Sequence, residues 1–189
     1  MREILKSVKE AHLKVINEFI EREGEKILQV VELAKEVILK GGKILIFGNG
    51  GSAADAQHLA GELVNRFKME RRPLPAIALT TDTSVLTAIA NDYDFSQVFV
   101  KQIQALGKEG DIALAISTSG KSPNIVSALK VAKEMGLHTV GLSGGGGGDM
   151  PSYCDYLILV PSTETPRIQE GHLLFLHLFS ELLEIALFK

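Results

Sequence analysis

Tryptophan is absent from this chain, and cysteine occurs once, at Cys154. A single thiol excludes an internal disulfide framework and fits a reducing, cytoplasmic setting. Cys154 sits at the edge of an apolar strand pattern and reads as a structural thiol, not a nucleophile. Charge of one sign is also lacking: the net charge is -3, with no local cluster of Lys or Arg. That excludes the electrostatic footprint of direct nucleic-acid binding. Long apolar runs are missing as well, so no membrane span is expected. Met1-Arg2-Glu3 opens a charged amphipathic pattern, unlike a leader or anchor. With no internal repeat, linker or low-complexity tract, 189 residues read as one domain.

What is present is an alternation of patterns. Residues 1–40 read as two helices, one marked by Ile4, Val8, Leu13, Ile16, Phe19 and Ile20. The other carries Ile27, Val30, Val31, Leu33, Ala34 and Val37 and stops at Gly41-Gly42. From residue 41 to 189 strands alternate with helices. Strands are predicted at 43–47, 76–79, 112–117, 139–142 and 156–160. Helices are predicted at 53–66, 84–90, 95–105 and 123–135, with a closing helix at 166–187. The runs Ile44-Leu45-Ile46-Phe47 and Ile112-Ala113-Leu114-Ala115-Ile116 are apolar on both faces, as in a parallel sheet covered by helices. The expectation is an α/β fold of three layers, a doubly wound five-stranded parallel sheet of order 2-1-3-4-5 with an N-terminal helical extension. In that order strands one and three are neighbours, and their loops meet at the ligand-binding switch point.

Those two loops are rich in glycine and hydroxyls. Gly48-Asn49-Gly50-Gly51-Ser52 follows the first strand, and Ser117-Thr118-Ser119-Gly120-Lys121-Ser122 follows the third. Each opens a helix, where backbone N–H groups and the helix dipole favour an anion. Gly48-x-Gly50-x-x-Ala53 also satisfies a loose dinucleotide fingerprint. However, the acidic residue that would hold a ribose, Asp82, comes too late. Ser122 before Pro123 suits a simple helix N-cap, yet capping needs one hydroxyl and the loop carries four. The glycine run 144–148 reads as a flexible strand exit, with a lid or phosphate nest as the alternative.

Beyond the first loop, His58 and Glu62 lie four residues apart on one helical face, either a surface ion pair or part of a site. The closing helix carries Gln169, His172 and His177. Gln169 and His177 are about 80° apart round the axis and can reach one pocket from two levels, while His172 lies about 140° from His177 and points elsewhere. Two His, a Glu and a Gln suit zinc, although an amide is an unusual ligand. Asn91-Asp92, with Asp94 nearby, is either a bare turn or a group that binds sugar hydroxyls.

Taken together, Gly48-Asn49-Gly50-Gly51-Ser52, Ala56-Gln57-His58, Ala88-Ile89-Ala90-Asn91-Asp92, the segment 116–122 and Arg167-Ile168-Gln169-Glu170 resemble a sugar isomerase (SIS) domain. More narrowly, they resemble the bacterial phosphoheptose isomerases, over nearly the whole chain. The resemblance implies an aldose–ketose isomerase that makes D-glycero-D-manno-heptose 7-phosphate from sedoheptulose 7-phosphate through an enediol. It implies a cytoplasmic homotetramer supplying heptose for surface polysaccharide such as the lipopolysaccharide core. By the same resemblance Asn49, Gly50, Gly51 and Ser52 line the substrate, and Ser117, Thr118, Ser119 and Ser122 hold chiefly its phosphate. Asn91 and Asp92 contact its polyol chain. His58, Glu62, Gln169 and His177 match zinc-binding positions, one divalent ion per subunit, with Glu62 and Gln169 also touching substrate. Glu62 is the expected base and His177 its acid–base partner. A related SIS-domain protein that binds the bacterial replication initiator shares much of this pattern. It lacks the acid–base residues that this chain retains.

Overall fold

A computed structural model describes residues 1–189. The elements in chain order are α1 (Arg2–Leu39), β1 (Ile44–Gly48), α2 (Gly51–Val64), β2 (Ala76–Ala78) and α3 (Thr83–Asp92). They continue with α4 (Val100–Leu106), β3 (Ile112–Ile116), α5 (Pro123–Glu134), β4 (His138–Gly144), β5 (Tyr156–Val160) and α6 (Thr165–Phe188). Short 3-10 turns occupy Phe95–Gln97 and Met150–Ser152. All five strands are parallel, in the order β2-β1-β3-β4-β5. The register pairs Ile44 with Ala76 on one side and with Ile112 on the other, and brings Gly48 opposite Ile116. The two hydroxyl-rich loops therefore leave neighbouring strands at the same height.

Alternate side chains of the central strands enter two separate cores. On one face Ile44, Ile46, Ile112, Leu114, Ile116 and Val140 pack with α1, α2 and α6. On the other, Leu45, Phe47, Ala113 and Ala115 pack with α4 and α5. The first core is the larger, 27 buried residues against 15, because three helices cover that face. Burial of each Ile or Leu there contributes about 1.5–3 kcal/mol.

Two expectations are corrected. Residues 1–40 form a single 38-residue helix. The junction between the two apolar patterns holds only helix-compatible residues and Gly24, whose cost of about 1 kcal/mol cannot break a helix packed on both sides. The Arg22–Glu18 pair at 3.2 Å and the Lys26–Glu23 pair at 2.6 Å span it, and Lys26 Nζ also donates to the Leu157 carbonyl at 2.8 Å. The predicted helix over 95–105 divides into the 3-10 turn at Phe95–Gln97, N-capped by Asp94, and α4. Strand and helix bounds elsewhere differ from expectation by at most two residues, β4 running on to Gly144.

The closing helix corrects a third expectation. By length and composition α6 is apolar enough to cross a membrane. Here one apolar face packs on protein: Phe175, Leu176, Phe179 and Leu183 are fully buried against α1 and α2, while Leu173 and Ile185 stay exposed.

Candidate active site

The site is built where β1 and β3 end. Asn49, directly after β1, and Asn124, in the first turn of α5, exchange amide hydrogen bonds in both directions at 2.9 Å. This pair ties the two loops together across the switch point, and the sequence reading did not single out Asn124. In the second loop Ser117 is buried and its Oγ accepts from the Gly120 N–H at 3.2 Å, while Ser119 Oγ accepts from the Lys121 N–H at 3.3 Å. Ser122 stands at the N-cap of α5, yet its hydroxyl makes no capping bond. The plain capping explanation of Ser122 therefore fails, and its hydroxyl is free for a ligand.

The glycine run is not a loose strand exit. Gly147 N–H donates to the Gly144 carbonyl at 3.0 Å, and Asp149 N–H donates to the Gly120 carbonyl at 2.9 Å. Gly120 has φ +65°, and a Cβ there would lie 2.0 Å from the Gly147 carbonyl oxygen. The run is thus packed against the second loop, where only glycine fits. Between them lies a cavity of about 460 Å³ lined by Thr118, Ser119, Lys121, glycines of the run, Ser162 and Thr163.

Helices α2 and α6 run side by side away from these loops. At the near end Gln169 lies against Gly51, where a Cβ would stand 2.5 Å from its Nε2. Asp55, a turn further along α2, shares a cavity of about 370 Å³ with Gly51, Gln169 and Glu170. Its Oδ2 is buried without a partner; burial pushes its carboxyl above the ordinary range, with nearby His58 opposing. The sequence reading passed over Asp55, although it stands on the His58 side of α2.

Further along the two helices His58 Nε2 lies 3.0 Å from Glu62 Oε1. The His177 ring meets the His58 ring edge-on at 5.2 Å between centroids, and Phe67 stacks on His177 at 5.6 Å and 17°. His58 and Glu62 remain partly open to solvent, at 39% and 24% of their side-chain surface. A carboxylate and an imidazole open to solvent, with a second imidazole beside them, can exchange protons with a bound molecule.

The expected zinc donors are brought together only in part. His58, Glu62 and His177 share one level, whereas Gln169 stands about 12 Å back along α6, against Gly51. No three His, Cys, Asp or Glu side chains converge as a ligand group. As arranged in this structure, the four side chains are not drawn together round one point.

Other predicted residues fall as follows. Ser52 is buried in the first turn of α2. Asn91 and Asp92 end α3 in the open, where Asn91 Nδ2 donates to Asp92 Oδ1 at 2.9 Å and neither meets the His58 group. Asp82 N-caps α3 by accepting from the Val85 N–H, which occupies it structurally. His172 points away from His177 into the core beside Ser143; burial lowers its pKa to about 4, only partly offset by the Ser143 backbone. Burial likewise pushes the Cys154 thiol up to about 12, with Asp155 adding to it, so this is an inert structural cysteine.

Known proteins resemble this chain in sequence and in fold. The SIS domain family model matches residues 9–144. The phosphoheptose isomerase of Geotalea daltonii is 53% identical over 188 residues, covering 100% of this chain and 98% of that protein. This chain belongs to the phosphoheptose isomerase family of SIS-domain proteins. The Nitratidesulfovibrio vulgaris phosphoheptose isomerase is 59% identical over 85% of this chain and 79% of its own length. Among solved structures, the phosphoheptose isomerase of Neisseria gonorrhoeae superposes with a TM-score of 0.92 at 41% identity, covering 97% of this chain and 98% of that one. That of Francisella tularensis gives 0.94 at 39% identity, covering 97% of each.

Proposed function

We propose that this protein interconverts sedoheptulose 7-phosphate and D-glycero-D-manno-heptose 7-phosphate. The observation that carries the reading is the 53% identity to a phosphoheptose isomerase over the full length, joined to a hydroxyl-rich anion loop at the end of β3 and a His–Glu pair along the neighbouring helix α2. The phosphate is held at the N-terminus of α5 by Ser117, Thr118, Ser119 and Ser122, where amide dipoles and the uncapped Ser122 hydroxyl favour an anion. Asn49, Gly50, Gly51 and Gln169 line the path from that loop toward the acid–base group, and Asn91 and Asp92 are assigned to the polyol chain.

Chemistry follows at the other end of the substrate. Glu62 removes the proton from C1 of the ketose, and His177 moves a proton between O1 and O2 as the enediol forms and collapses. Return of a proton to C2 completes the aldose. His58, bonded to Glu62, fixes the carboxylate's direction. Because the exchanged proton passes through a base that faces solvent, deuterium from heavy water is expected at C2 of the product. Absence of label and of turnover together would contradict the enediol route. Metal analysis of the purified protein tests the one zinc ion per subunit that the resemblance implies.

A homotetramer in the cytoplasm completes the proposal. Along α1, the exposed side chains Ile4, Leu5, Val8, Leu13, Ile20 and Leu28 supply apolar surface that a second subunit would cover. The product would serve heptose synthesis for surface polysaccharide.

A further inference from the structure

Seven residues past His177, Glu184 is 1% exposed and forms an ion pair with Arg71 whose side chains are both 1% exposed. A buried ion pair is costly unless its remaining donors and acceptors are satisfied. Here they are satisfied by one particular stretch of chain. The Glu184 carboxylate accepts from the backbone N–H groups of Phe67, Lys68 and Met69 at 2.8–2.9 Å and from Arg71 Nε at 3.0 Å. Burial by itself would push this carboxyl up; the three backbone donors and Arg71 overcome that and hold it below the ordinary carboxylate range.

Arg71 in turn holds the end of α2. Its Nη2 donates to the Glu62 carbonyl at 2.8 Å, and its Nη1 donates to the carbonyls of Leu63 at 2.8 Å and Asn65 at 3.0 Å. These are terminal carbonyls of a helix, which a cation at the C-terminus satisfies. One ion pair thus grips the backbone of Glu62 from one side and helix α6, the carrier of His177, from the other. Between them it sets Phe67, whose ring stacks on His177.

We propose that Arg71 and Glu184 form a buried clamp that sets the distance between Glu62 and His177, with Phe67 as its contact on the imidazole. All three are positioning residues for the isomerisation, and the assignment rests on the acid–base roles given to Glu62 and His177. The clamp acts on geometry at the reacting carbons and leaves the distant phosphate loop untouched. Its loss therefore lowers kcat with little change in KM.

The test is steady-state turnover of sedoheptulose 7-phosphate by the full-length protein and three variants, with thermal unfolding measured on each. Phe67→Leu is expected to lower kcat about tenfold, because a modest misplacement of reacting groups costs that much. KM should stay within about twofold, and Tm within about 2 °C. Phe67→Tyr, which restores the stacked ring, is expected to return kcat to within about twofold of the parent protein. Unchanged kcat in Phe67→Leu, a loss equally severe in Phe67→Tyr, or an effect carried by KM would each overturn the clamp. His177→Gln separates the two layers of the argument. A fall in kcat of more than about 100-fold is expected there. Normal turnover would show that the assigned role of His177, on which the clamp depends, is wrong.

Discussion

The two ends of the α2–α6 pair are built on opposite principles. At the far end, the buried carboxylate of Glu184 and the guanidinium of Arg71 meet four and five partners, and nothing polar there is left over. At the near end, Asp55 Oδ2 is buried without a partner, the Ser122 hydroxyl caps nothing, and Gln169 leans on a bare glycine. A fully satisfied buried network fixes one arrangement of the chain. Unsatisfied polar groups beside a cavity mark where a ligand's own hydroxyls and phosphate complete the bonding. The contrast teaches that rigidity and recognition are supplied at opposite ends of the α2–α6 pair and by the loops that adjoin each end, with Glu62 and His177 between them.

The contrast can be broken most forcefully at its satisfied end. Glu184→Ala leaves Arg71 and three backbone donors without their acceptor, and is expected to cost about 3–5 kcal/mol of stability. Urea unfolding measures it; a loss below about 1 kcal/mol would mean that the network is worth no more than a surface pair.

Acid tests the core beneath the glycine run. His172 is neutral in the fold, with a pKa of about 4 against an ordinary 6.5. As pH falls through 6.5 the unfolded chain takes up a proton that the folded chain refuses until about pH 4. Stability is therefore lost across that window, by roughly 2–3 kcal/mol between pH 7 and 4.5. His172→Leu should flatten this part of the pH–stability profile, and an unchanged slope would remove His172 as its source.

At the recognition end, Gly120→Ala forces a side chain into left-handed backbone and against the Gly147 carbonyl. Its expected cost is about 2 kcal/mol together with a higher KM. Ser122→Ala sharpens the comparison most finely. Since no capping bond exists to lose, unfolding should be unchanged within about 0.5 kcal/mol. KM should rise about tenfold through a lost bond to a charged phosphate. A stability loss with normal KM would restore the capping explanation.

Much of this was legible in the chain itself. A parallel sheet covered by helices followed from runs apolar on both faces, and the two loops declared themselves by hydroxyls at strand ends; the strand order was an assumption of the doubly wound class, which the structure bears out. His58 and Glu62 were visible by their spacing of four. The rest depends on contacts distant in sequence. Arg71 reaches Glu184 across 113 positions, and nothing local distinguishes that arginine from its neighbour Arg72. Asn124 was hidden because its partner lies 75 residues away. The unbroken α1 was missed because Gly24 and a shift in the apolar stripe resemble a helix junction, whereas tertiary packing outweighs the propensity cost of one glycine. The glycine run has no side chains, so only its packing against Gly120 shows it to be a wall of the cavity.

The central claim is that Glu62 performs proton abstraction in a site otherwise held by its neighbours. The direct measurement is turnover of sedoheptulose 7-phosphate in heavy water by the parent protein and by Glu62→Gln. The account predicts a deuterated aldose product from the parent protein, and loss of turnover by more than about 1,000-fold in a variant that still folds. Near-normal turnover in Glu62→Gln would contradict it.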